Sequence, residues 1–212
     1  MTTIAFVGDI GSERLALLEW LGHLDPQDWD RPSLCDGWRV RDVLAHLITP
    51  FMVSPPQMAL RMVRAGGLSQ AMHAVAVELG QRDPHELMET LRANAFSNFR
   101  PPGLPAAAAL TDIVVHAADI RWALTADRTD WGDASHLADV LAFVVSRRAL
   151  MGFVPRTRLR GLRLVATDMS WEHGSGKRVE GPARAVVMAV LGRAQAAPLL
   201  RGDGVTVLLG RR

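Results

Sequence analysis

Four side chains stand out for what they could do beyond packing: His46 in the run DVLAHL (42–47), and Asp112, His116 and Asp119 in TDIVVHAADIRWAL (111–124). On a helix, His46 borders the apolar stripe formed by Val40, Val43, Leu44 and Leu47, so it points inward or nearly so. Asp112 and His116 are four residues apart, about 40° around a helix, and Asp119, seven after Asp112, falls on the same face. An unpartnered buried carboxylate costs several kcal/mol, so an interior point that gathers one with two imidazoles calls for a compensating cation. Two histidines and a carboxylate are the ligand set of open catalytic zinc sites and of some iron(II) sites. The same spacings also suit hydrogen-bonded core histidines, and Asp119 has an alternative as an ion-pair partner of Arg39 or Arg41. The pattern D-x-x-x-H alone does not choose between these readings.

Other candidates carry less. Cys35 lies between Leu34 and Asp36 with no histidine near it in sequence, which reads as a small buried hydrophobe rather than a nucleophile. GDIG (8–11) lacks the third glycine of a nucleotide loop. His23, His73, His85, His136 and His173 have no comparable partners and read as solvated surface, while Trp38, Trp122, Trp131 and Trp171 read as core.

The elements that must position these groups are mostly helical. Leu15, Leu18 and Leu21 give a helix over 9–24, with Ser12 available as a cap. DPQDWDRPSLCDGW (25–38) reads as an ordered loop, and a second helix starts near Arg39. Pro50 and Pro55-Pro56 are expected to break or kink the chain before QMALRMVRAG (57–66) turns helical again. Residues 68–103 hold one or two helices, the better having Asp83 as cap and Pro84 at its first position. The clearest helix covers 105–125, and another begins from Asp133 or Ser135. After Gly152, strand-like alternation flanks the Gly-Ser-Gly turn at 174–176. A helix then runs from Pro182 towards Gly192, and GVTVLLG (204–210) is expected to close the chain as a strand. The domains so predicted are a helical one over 1–152 and a small α+β one over 153–212.

Composition narrows the function. The chain has 212 residues, of which 49% are apolar and 22% charged, as in a folded globular protein. Its net charge is only +2, its arginines are interspersed with acids and no dense cationic run occurs, so nucleic-acid binding has little support. No stretch is long and apolar enough for a membrane span, and the first residues lack a signal peptide's basic region. A single cysteine fits a reducing compartment, and the expected location is the cytoplasm.

The run PSLCDGWRVRDVLAHL (32–47) resembles the opening signature of the mycothiol-dependent maleylpyruvate isomerase family, whose helical domain is a DinB/YfiT-like metal-binding four-helix bundle. TDIVVHAADIRWAL is similar to the family's third-helix segment, GLRLVATDMSWEHGSGKRVEGPARAVVMAVLGR (161–193) to its C-terminal extension, and RGDGVTVLLG (201–210) to its final strand. The resemblance implies a mainly α fold, a DinB/YfiT-like four-helix bundle followed by a small α+β domain. It implies His46, Asp112 and His116 as ligands of a divalent metal ion, zinc first, with nickel or iron as the alternatives. It also implies mycothiol as a low-molecular-weight thiol cofactor and transfer or isomerisation of a small electrophilic substrate. Arg41 and Arg121 are the candidates for binding a carboxylate on cofactor or substrate, a solvated helix face being their other reading. The sequence departs from the family where Asp112 replaces a glutamate, and where Arg39 stands at a helix cap that usually holds a small hydroxyl. A non-catalytic metal- or small-ligand-binding bundle is the rival to the enzyme.

Overall fold

The computed structural model describes residues 3–99, 105–125, 136–149, 154–155 and 157–211. Trp131, the candidate caps Asp133 and Ser135, and Gly152 lie outside them. The chain forms two compact units, Met1–Gly132 and Asp133–Arg212.

The first unit is built from six α-helices among the described residues, α1 (Thr3–Leu21), α2 (Val40–Met52), α3 (Pro55–Ala65), α4 (Leu68–Leu79), α5 (Pro84–Ala93) and α6 (Ala106–Leu124), with a short 3-10 turn over Pro26–Asp30 between the first two. Helix α2 packs against α4, α5 and α6, and α1 against α5 and α6. Its core includes Leu18 and Leu21 of α1 and Val43 and Leu44 of α2, from the stripes read in the sequence, joined by Leu17 of α1, Ile48 of α2, Leu87 and Leu91 of α5, and Leu110, Val114 and Ile120 of α6, while Leu15 of the expected α1 stripe is only half-buried. None of the helices among the described residues is long and apolar enough to cross a membrane.

Local chemistry sets the helix ends. Arg39, at the cap of α2, has no side-chain acceptor to offer, and Asp42 takes over: its carboxylate accepts the Arg39 backbone N–H at 2.9 Å and the guanidinium at 2.9 and 3.0 Å. Asp83 caps α5 through His85 N at 2.7 Å, with Pro84 in the first turn. The prolines expected to disrupt the chain do less. Pro50 sits inside α2, which continues to Met52, and Pro55-Pro56 open α3, where their missing N–H groups would have no helical partner in any case.

In the second unit α7 (Leu137–Val144) packs on α8 (Ala183–Val190), and α8 lies on a three-stranded sheet of β1 (Leu162–Ala166), β2 (Trp171–Gly174) and β3 (Lys177–Gly181). All eight residues of α8 are buried, Arg184 among them, which accounts for the unbroken apolar run from Ala185 to Val190. The sheet order is β2-β1-β3, with β1 antiparallel to β2 and parallel to β3. The strands on either side of Gly-Ser-Gly therefore do not pair with each other. The turn carries the chain across the N-terminal end of β1, from Gly174 opposite Arg163 to Lys177 opposite Leu162. Only glycine suits Gly176: its φ is +120°, and a Cβ would lie 2.3 Å from the Gly161 carbonyl oxygen.

The last element corrects the expected closing strand. Val205–Gly210 is a helix, α9, packed against α8 and β3 with Leu208 buried. A short apolar run fits strand and helix equally by pattern, and here Arg201 already occupies the edge beside Glu180 with a pair of backbone bonds at 2.8 and 2.9 Å.

Candidate metal centre

Helix α6 buries most of its circumference, including Thr111 and Asp119, so polar residues on it need partners. Thr111 returns its hydroxyl to the Ala107 carbonyl at 2.8 Å. Asp112 and His116, one turn apart, face His46 on α2. His46 Nε2 and His116 Nε2 each lie 3.5 Å from Asp112 Oδ1, and the two imidazoles meet edge to face with centroids 4.8 Å apart. The three ligand atoms lie within 4.8 Å of one another. The Asp112 side chain is 38% exposed against 14% for His46 and 13% for His116, so the cluster opens on the carboxylate's side.

A second group, Cys35, His116 and Asp119, also gathers metal-ligating atoms, and separation distinguishes the two. Ligands of a tetrahedral ion with bonds of about 2.1 Å stand about 3.4 Å apart, close to the 3.5 Å of the first trio. In the second group Asp119 Oδ2 is 2.9 Å from His116 Nδ1 and 3.1 Å from Cys35 Sγ, which are hydrogen-bond contacts with no room for an ion between them. A carboxylate can only accept, so Nδ1 of His116 donates to it. Neutral His116 then carries its lone pair on Nε2, facing Asp112 and His46. The donors therefore fit a divalent ion held by His46, Asp112 and His116.

The charges agree with this geometry. Burial works to raise the Asp112 pKa, but His46, His116 and the Arg14 guanidinium outweigh it and hold the carboxyl below its usual range. Burial likewise works against charge on His116, yet its bond to Asp119, its contact with Cys35 and the Asp112 charge hold the imidazole well above its ordinary pKa. Without a metal, a proton on His116 supplies the positive charge that the acids demand.

The structure brings His46, Asp112 and His116 together and does not bring Arg41 or Arg121 to them. Arg41 pairs with Asp30 at 3.3 Å and donates to the Arg82 carbonyl at 3.1 Å. Arg121 reaches α1, donating to the Ala16 carbonyl at 3.3 Å with its guanidinium over the Trp20 ring. Asp119 meets His116 and Cys35, not Arg39 or Arg41 as sequence allowed, because Arg39 is taken up by Asp30 and Asp42.

Sequence reasoning missed three neighbours. Arg14 of α1 is buried beside the cluster, its Nη1 donating to the carbonyls of Asn94 and Ala95 at 2.9 and 3.0 Å. Trp38 packs its indole 5.0 Å from His46 and 6.2 Å from His116, with exposed His73 stacked on it at 6.0 Å. Cys35 lies 3.6 Å from His116 Nδ1, though 81 residues away in sequence. The proximity of 35–38 to the histidine at 46 was the one available signal for the Trp38 contact; nothing local pointed from Cys35 to α6.

Residues 10–160 match the family described as the mycothiol maleylpyruvate isomerase N-terminal domain. The chain belongs to this family. Its fold is that of two crystal structures of the mycothiol-dependent maleylpyruvate isomerase, one of them a histidine-to-alanine mutant. Each has a TM-score of 0.60 and covers 96% of this chain and 93% of its own, at 14% identity for the mutant and 13% for the other. No curated protein matches the chain. The matched residues include the helical bundle and the group His46, Asp112 and His116.

Proposed function

We propose that the protein is a cytoplasmic, metal-dependent enzyme that uses mycothiol to transfer or isomerise a small electrophilic metabolite. The observation that carries this reading is the convergence of His46 Nε2, His116 Nε2 and Asp112 Oδ1 at ligand spacing, with His116 oriented by Asp119. Those three residues hold the ion, which we take to be zinc. A divalent ion bound there supplies an open position and lowers the proton affinity of a thiol that occupies it. The protein's own groups do the rest. Asp112 marks the solvent-facing side by which a small molecule enters, Trp38 packs against both imidazoles, and Arg14 adds positive charge near Asp112. The crystal structures of similar fold are those of a mycothiol-dependent isomerase, which supports the choice of thiol.

Isothermal titration of mycothiol into zinc-loaded protein tests the reading. Saturable heat with one thiol per chain is expected. A flat titration, with zinc bound, would replace the enzyme by a non-catalytic metal-binding bundle.

A further inference from the structure

Asp119 has no solvent exposure, is not one of the three ligands and still receives two side-chain donors. On one side is Nδ1 of His116; on the other is the Cys35 thiol. Its backbone carbonyl also accepts Leu34 N–H at 3.1 Å, so the loop over 33–38 is tied to α6 at this residue, both by backbone and by side chain. At the end of that loop, Trp38 packs on both ligand imidazoles. His46 has no such support, since its Nδ1 is buried without a hydrogen-bond partner among the described residues. The two ligand imidazoles are thus unequally held.

We infer that Asp119 is the positioning residue of the centre: it fixes His116 as the tautomer protonated on Nδ1 and aims Nε2 at the point shared with His46 and Asp112, while Cys35 and the 33–38 loop hold Asp119 in place. The inference rests on the metal-binding reading and names what makes that site selective for one nitrogen of His116. An imidazole free to rotate or to change tautomer would present the wrong nitrogen, or none, to an ion. Carboxylate support of a ligand histidine is worth about 10–100-fold in metal affinity.

Asp119→Asn tests this directly, because the amide offers an uncharged, weaker acceptor or, turned over, a donor that faces Nδ1. Zinc affinity measured by competition with a chromophoric chelator should fall about 10–100-fold, with circular dichroism unchanged. Long-range proton–nitrogen NMR of the zinc-loaded wild type, which needs no variant, should show Nδ1 of His116 protonated and Nε2 on the metal. His46→Ala is the control for the underlying reading. Zinc binding that is lost in His46→Ala but unchanged in Asp119→Asn, or an NMR spectrum with the metal on Nδ1, overturns the positioning role alone. A wild type that takes up no zinc overturns the metal reading and this inference with it.

Discussion

His46 and His116 stand on different helices, yet their Nε2 atoms are equidistant, at 3.5 Å, from the same oxygen of Asp112. An ion in that position draws on α2 and α6 together, and losing either imidazole leaves only two of the three ligands: Asp112 and His116, both on α6, without His46, or His46 and Asp112 across the gap without His116. His46→Ala and His116→Ala should each abolish zinc retention, read as metal-to-protein ratio after gel filtration. His136→Ala, on a residue of the other compact unit, should keep the wild-type ratio. Equal ratios in all three variants would dismiss the trio as a metal site.

Binding should also depend on pH in a defined direction. His116 is held above the ordinary imidazole value of about 6.5, whereas Asp112 lies below the usual carboxylate range and stays ionised. A metal requires the neutral imidazole, so zinc must displace a proton from His116 at neutral pH. Zinc affinity should rise with pH until the folded-state pKa of His116 is passed, and each binding event should release a proton, measurable as a buffer-dependent calorimetric enthalpy. The sign is opposite for the metal-free fold. Its raised His116 pKa contributes stability that is fully present below the unfolded pKa and is lost as pH rises through the folded one. A zinc affinity flat across this range would contradict the proton's place on His116.

The legible parts of the molecule were those fixed by local pattern. Leu18, Leu21, Val43 and Leu44 lie on helical stripes and are buried; Asp83 before Pro84 signals a cap and makes one. Asp112 and His116 share a helix face by arithmetic alone. What sequence left open was whatever depends on contacts distant along the chain. Cys35 finds Asp119 across 84 residues, and Arg14 reaches the carbonyls at 94 and 95. Arg121 illustrates the converse, since an arginine on the same helix as Asp112 and His116 was a candidate for binding a carboxylate, while its guanidinium turns to Trp20. The strand pairing was open for a related reason. A glycine turn between two strand-like runs looks the same whether the strands pair or straddle a third.

Gly176 tests that straddling topology. Alanine there must adopt φ near +120° and place its Cβ against the Gly161 carbonyl, a conformation that costs about 1–3 kcal/mol in a non-glycine residue before the contact is counted. Gly176→Ala should lower the thermal midpoint of the protein while leaving zinc stoichiometry intact, because His46, Asp112 and His116 all belong to the other unit. Gly210→Ala, where a Cβ meets nothing within 4 Å, is the matched control and should be nearly silent.

Gly80 bears on the helix that carries His46. Its backbone is ordinary, with φ −63° and ψ −9°, so alanine would suit the conformation. The obstacle is Asp42: a Cβ on Gly80 would lie 2.1 Å from its Oδ1, the oxygen that receives the Arg39 guanidinium at 2.9 Å. Gly80→Ala should therefore displace Asp42 and loosen the start of α2, at a cost of about 1–2 kcal/mol, comparable to the loss of a helix cap. Asp42→Ala should cost a similar amount by removing the cap itself. The two changes should not add. Once Asp42 is truncated, only the Ala76 carbonyl oxygen, 3.0 Å away, still crowds that Cβ, and Gly80→Ala in that background should cost clearly less than in the wild type, with about 0.4–1 kcal/mol offset through the unfolded chain's reduced freedom. Chemical denaturation of the wild type, both single variants and the double variant measures this cycle, and strict additivity would mean that Gly80 is not there to make room for Asp42.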